Sequence, residues 1–165
     1  MNKVYLAMYK GRRDGRGMNV WINRFVDFVV RTITRSPYSH CEIAVLDGNN
    51  PSEKYYYCYS SSARDGGVRT KYMPLPPEKW DLIELPPAVA LSVSRLFRRT
   101  HGAKYDYLGA LGAVLKFPHN RRRWFCSEWC AYVIGYTNPC RYSPQTLYAA
   151  VSTKDRPSEK MEETK

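Results

Sequence analysis

Apolar and polar positions alternate along this chain in two rhythms. Steps of two run through residues 4–9, 38–46 and 54–60, and shorter stretches at 68–71 and 80–85 follow the same rule, so each predicts a strand. The turn Asp47-Gly48-Asn49-Asn50 makes a hairpin of the second and third strands, and residues 61–67, bending at Asp65-Gly66-Gly67, lead to the fourth. Steps of three and four take over elsewhere. Val20, Trp21, Phe25, Phe28, Val29 and Ile33 predict an amphipathic helix over 19–34, which Ser36-Pro37 ends because proline disfavours helix in the residue before it. Pro86 and Pro87 start a second helix through Val89, Val93, Leu96 and Phe97, with Gly102 as its cap. Residues 105–115 read as a third, with Gly109 and Gly112 allowing close packing. The stripe Cys126, Trp129, Cys130, Val133 and Ile134 predicts a buried helix that Gly135 can end. Ser143-Pro144 then supplies an N-cap and first helical residue for the last. The Pro-rich stretch 73–77 reads as an extended linker or lid.

The expected fold is α+β: an antiparallel sheet with helices packed on it, in one domain over 1–152, and a polar, disordered tail over 153–165. A length of 165 residues with 44% hydrophobic content suits that reading. No apolar run approaches the roughly eighteen residues a membrane-spanning helix needs. Five cysteines without paired spacings argue for free thiols in a reducing compartment, so the expected location is cytoplasmic. The formal charge of +11 sits on the body, in Arg12, Arg13 and Arg16, in Arg95, Arg98 and Arg99, and in Arg121, Arg122 and Arg123. Such an excess attracts nucleic acid, anionic membrane or acidic partners, and it also describes a merely solvated basic surface. The glycine-rich loop 11–17 lacks the spacing of a phosphate-binding loop.

Candidate chemistry centres on Cys126. A thiol in the first turn of a helix faces unpaired N–H groups and the positive end of the dipole, which favours the thiolate. It needs a base, and of three histidines His40 is the choice: it starts a hairpin strand, from which its ring can project onto the end of a packed helix. His119, in the loop before the arginines, is a second candidate base; His101 reads as a helix C-terminal residue. Glu42 shares the strand face of His40 by two-residue alternation and is the favoured orienting group, with Ser60 or Ser62 on the neighbouring strand as alternatives. Cys126, Cys130, His40 and Cys41 form a conceivable metal set, but the Cys-x-x-Cys knuckle of structural zinc is missing, so no metal or other cofactor is expected. Cys41, Cys58 and Cys140 read as structural thiols.

Three segments carry a resemblance: Tyr38-Ser39-His40-Cys41-Glu42-Ile43-Ala44-Val45, then Gly102-Ala103-Lys104-Tyr105-Asp106-Tyr107, then Phe125-Cys126-Ser127-Glu128. In this order they resemble the circularly permuted branch of the NlpC-type, papain-like thiol hydrolases, the group that includes the lecithin:retinol acyltransferases. The stretch 60–69 is in addition similar to small proteins of tailed bacteriophages, and that resemblance implies the host cytoplasm as the location. The family resemblance implies a permuted papain-like fold, Cys126 as nucleophile and His40 as general base and later acid. It further implies an oxyanion hole including the Cys126 N–H, with Tyr105 and Ser127 lining the site. The expected activity is cysteine-dependent hydrolysis or acyl transfer on an amide, ester or thioester of a small acyl, peptide or lipid-like substrate. The alternative is a basic, non-catalytic binding protein of the same fold that contacts nucleic acid, membrane or a host protein.

Overall fold

The computed structural model describes residues 3–11, 36–49, 54–115 and 122–153. Strands β1 (Val4–Tyr9), β2 (His40–Leu46), β3 (Tyr55–Ser62), β4 (Gly67–Pro74) and β5 (Trp80–Leu85) form one antiparallel sheet in the order β4-β3-β2-β1-β5. Four helices follow among the described residues: α1 (Val89–Thr100), α2 (Tyr107–Leu115), α3 (Cys126–Ile134) and α4 (Pro144–Ser152), with a 3-10 turn at Pro139–Arg141. The fold is therefore α+β. The helix expected over 19–34, His119, Arg121 and the tail beyond Thr153 lie outside the described residues.

The two faces of the sheet have different fates. On one, Val4, Leu6 and Met8 of β1 and Cys41 and Ile43 of β2 meet Val89, Val93 and Leu96 of α1, Trp129, Cys130 and Val133 of α3, and Leu147 and Val151 of α4 in the main core. Trp129 is fully buried at its centre, and its indole N–H donates to Thr100 Oγ1 at 3.0 Å, so the ring's one polar atom is satisfied. Truncating it to alanine would cost about 3–5 kcal/mol. On the other face a smaller cluster gathers Ala7, Ala44, Tyr56, Cys58 and Leu75. The central strands are thus buried on both sides.

Helix ends follow local chemistry. Gly135, at φ 96°, closes α3 in the left-handed conformation that glycine adopts without a Cβ penalty. Ser143 caps α4, its Oγ accepting the Thr146 N–H at 3.2 Å with Pro144 in the first turn.

β3 runs on through Ser61 and Ser62 and β4 begins at Gly67, which shortens the turn expected over 61–67, and two boundaries differ more. β4 does not stop at Lys71 but continues through Met73 and Pro74, which pair with Tyr56 and Tyr55, so the Pro-rich stretch is strand at its start. Proline is tolerated there because β4 is an edge strand. The Tyr72 ring lies 5.0 Å from Tyr55 and 4.9 Å from Tyr57, which gives the extension a cross-strand contact. The second difference is the start of α2. Lys104 and Tyr105 are held in bridges to Gly67 and Trp124, and the helix begins only at Tyr107, after the Asp106 carboxylate accepts the Gly109 N–H at 2.9 Å.

Those bridges position the start of α3. Tyr105 N–H donates to the Gly66 carbonyl, Trp124 N–H to Lys104, and Ser61 Oγ to the Trp124 carbonyl at 2.6 Å. A side chain on Gly67 would run into the Ala103 carbonyl, so only glycine allows this close approach. The residues leading into Cys126 are tied to the end of β3 and the β3–β4 turn.

Candidate active site

Antiparallel register brings the end of β1, the start of β2 and the end of β3 to one end of the sheet, where Tyr9 pairs with His40 and Ser62 with Gly67. The first turn of α3 arrives at the same end. Cys126 and His40, far apart in the chain, come close enough there for each to shift the other's protonation. Nε2 of His40 lies 3.0 Å from Oε1 of Glu42, which leaves Nδ1 as the nitrogen available to the thiol. The structure therefore brings Cys126, His40 and Glu42 together at one end of the sheet.

A fourth residue completes the line, one that the sequence reading did not single out. Arg69 donates through Nη2 to Glu42 Oε1 at 2.7 Å and through Nη1 to Oε2 at 2.9 Å, while its Nε donates to Asp65 Oδ2 at 2.9 Å. Lys71 Nζ donates to the other Asp65 oxygen at 2.7 Å. Arg69 belongs to β4 and Glu42 to β2, so the guanidinium must cross β3. It can do so because it sits opposite Ser60, whose short side chain turns down to donate to the Cys41 carbonyl at 2.7 Å. The signal in the sequence was indirect: an acid on a central strand needs a cation, and Arg69 had the right parity two strands away.

The remaining sequence candidates have other tasks. Ser60 is bonded to backbone, and Ser62 Oγ accepts the Asp65 N–H at 3.3 Å in the β3–β4 turn; Glu42 is the group bonded to His40. Ser127 is fully buried and donates to the Tyr142 carbonyl at 2.6 Å, fastening α3 to the approach to α4. Its hydroxyl thus faces away from the role of a site-lining donor. Tyr105 is buried with its ring 4.9 Å from that of Tyr107. His101 ends α1, its N–H donating to the Phe97 carbonyl. All five cysteines are free, and no cluster of metal-ligating side chains occurs among the described residues. No helix among them is long and apolar enough to cross a membrane.

The electrostatics favour an ion pair. Burial opposes a charge on His40, but its hydrogen bonds to Cys126 and Glu42 outweigh that and raise its pKa to about 9. Burial likewise opposes the Glu42 carboxylate, yet Arg69 and then His40 hold its pKa down at about 2. At Cys126 the hydrogen bond from the Cys41 thiol is the largest influence and lowers the pKa; burial works the other way, and His40 and the Cys41 backbone N–H reinforce the lowering. Cys41 itself is pushed well above its ordinary value by burial and by the neighbouring sulfurs, and burial raises Cys130 too. Of the three thiols only that of Cys126 is shifted toward the thiolate. Glu128, in the first turn of α3, reaches back to the Phe125 N–H at 3.4 Å, and burial together with nearby Asp106 raises its carboxyl to about 7. Near neutral pH a large share of it is uncharged and does not oppose the thiolate.

Beside this line a cleft of about 140 Å³ opens on the sheet face away from α3, with His40 and Glu42 in its wall together with Tyr9, Trp80, Arg64 and Lys71. Cys126 is not part of that wall; it stands behind the imidazole. Compared with protein families, curated proteins and solved structures, the chain matches none.

Proposed function

We propose that this protein is a cysteine-dependent hydrolase or acyltransferase of permuted papain-like architecture, acting on an amide, ester or thioester. The observation that carries the reading is a single imidazole that lies 3.0 Å from a buried carboxylate and close enough to a first-turn helix thiol to favour its thiolate. In the proposed mechanism the Cys126 thiolate attacks the acyl carbon. The developing oxyanion is stabilised by N–H groups at the start of α3, that of Cys126 among them. The His40 imidazolium gives its proton to the leaving group as the tetrahedral intermediate collapses to a thioester. Neutral His40 then takes a proton from water or an acceptor, which attacks the thioester and releases the acyl group and the thiolate. Glu42 fixes the ring's tautomer and stabilises the cation, and Arg69 holds Glu42 in place.

The test is acylation by p-nitrophenyl acetate, followed as a p-nitrophenolate burst and as an acetyl adduct by intact mass. One adduct per chain, located on Cys126 and missing in Cys126→Ala, is the expected result. A wild-type protein that stays unmodified at Cys126 would sink the proposal. The charge of +11 and the exposed Arg122 and Arg123 favour a second reading, a basic binding module. That protein would bind DNA or heparin with steep salt dependence and ignore the ester.

A further inference from the structure

α2 buries only one of its sides. Gly109 and Gly112 are buried, a side chain on Gly109 would run into the Asp106 carboxylate and the Phe125 ring, and the helix packs on the 3-10 turn at Pro139–Arg141. The other side carries Tyr107, Leu108 and Leu111, which fall within about 100° of arc at the α-helical period. They are 51%, 74% and 36% exposed, so the stripe that would ordinarily face a core faces outward. Tyr132 is half-exposed as well, its ring 5.6 Å from that of Trp124. Trp124 is tied to the residues that open α2: its N–H donates to the Lys104 carbonyl at 3.1 Å and its carbonyl accepts the Asp106 N–H at 3.0 Å. The elements adjoining the stripe carry cations. Lys104 precedes α2, Arg122 and Arg123 precede Trp124, Arg141 belongs to the 3-10 turn, and all four are exposed. Carboxylates do not offset them, because between His101 and Thr153 the sequence has Asp106 and Glu128 alone, and both are buried. Exposed leucines beside uncompensated cations single out one kind of partner. The phosphates of a nucleic acid would satisfy the arginines and leave Leu108 in water, whereas an anionic bilayer offers headgroups to the arginines and acyl chains to the leucines. Tyrosine and tryptophan suit the layer between.

We propose that α2 and the adjoining Trp124 and Tyr132 form a peripheral docking surface for an anionic lipid bilayer, with Leu108 and Leu111 entering the acyl-chain boundary and Lys104, Arg122, Arg123 and Arg141 meeting the headgroups. The inference does not depend on the chemistry of Cys126. α2 lies along the interface and does not cross it: its nine residues cover about 14 Å, against a hydrocarbon core of about 30 Å.

Sedimentation of the full chain with vesicles tests it, using phosphatidylcholine alone and an equal mixture of phosphatidylcholine and phosphatidylserine. The anionic vesicles should bind on the order of tenfold more tightly or better, and added salt should weaken that binding. Leu108→Gln should weaken it by roughly tenfold, as expected when one leucine is withdrawn from an apolar layer. Arg122→Gln with Arg123→Gln should weaken binding to the anionic vesicles by on the order of tenfold and leave the neutral ones unchanged. These side chains are exposed, so the variants carry little risk to folding. Leu108→Trp adds a reporter of depth: beyond the wild-type signal, its emission should shift to the blue with anionic vesicles and be quenched by brominated acyl chains. A wild type that does not sediment with the anionic vesicles overturns the surface. Binding that follows charge alone, unmoved by Leu108→Gln and without quenching in Leu108→Trp, overturns it too. DNA bound more tightly than the anionic vesicles at the same salt would give the arginines to nucleic acid instead.

Discussion

Nε2 of His40 lies 3.0 Å from Oε1 of Glu42, two residues along the same strand, and the same carboxylate is gripped by both terminal nitrogens of Arg69 from two strands away. The orienting carboxylate is itself oriented. A lone Glu42 buried to this degree would tend to take up a proton; with Arg69 in place it stays an anion and keeps the imidazole protonated.

Glu42→Gln should retain the fold while removing that charge. Cys126 acylation should drop on the order of a hundredfold or more, as when the carboxylate of a triad is neutralised. The His40 pKa, followed by NMR of its ring protons, should fall from about 9 toward the ordinary imidazole value. A substitution that merely loosened packing would leave that pKa high.

Replacing Arg69 with methionine strands a buried carboxylate, and losing one member of such a pair costs about 3–5 kcal/mol. The same pair sets an acid limit. Glu42 is lowered on folding, so its contribution is complete above the ordinary carboxyl range and disappears as pH falls toward 2. Urea unfolding at stepwise lower pH should show a loss of stability in the wild type that is much smaller in Glu42→Gln.

His40 has the opposite sign. Its pKa is raised to about 9 in the fold, so its contribution to stability is complete below about 6.5 and is lost as pH rises through 9. Turnover of amides should fall over the same basic limb, because deprotonated His40 has no proton for the leaving amine. A pH–rate profile for an amide substrate that stays flat past pH 10 would contradict the ion pair.

Iodoacetamide should alkylate Cys126 well below the free-thiol pKa of about 8.5, with Cys130 and Cys41 unreactive, since the first is lowered and the other two raised. Cys41→Ala should move the Cys126 reactivity profile to higher pH by removing the donor that contributes most to the lowering. His40→Ala should move it in the same direction. Mass spectrometry at each cysteine across pH reads all three proteins.

Ser127→Ala removes a bond to the Tyr142 carbonyl and no contact of the His40 line. A loss of about 1 kcal/mol in urea unfolding, with unchanged ester acylation, is the expected outcome. A large fall in acylation at unaltered stability would return Ser127 to the site.

The strands at 4–9 and 80–85, the hairpin and the helices beginning at Val89, Cys126 and Pro144 were legible in the sequence, because each buries one face and so writes its period into its residues. Cys126 and His40 were legible for a related reason: a first-turn cysteine and a strand-start histidine are local features, and Glu42 followed from parity along one strand. What lay beyond the sequence was pairing. β4 extends to Pro74 because β3 lies alongside it, and proline there reads as a stop until the strand is known to be an edge. Lys104 and Tyr105 look helical until Gly67 and Trp124 claim their backbone. Arg69 reaches Glu42 only through the register that sets it opposite the small Ser60, and register between strands is fixed by turns and by the shared core, not by any one strand's residues. The same register, acting at one end of the sheet, gathered Arg64, Lys71, Tyr9 and Trp80 around a cleft that no spacing along the chain announces.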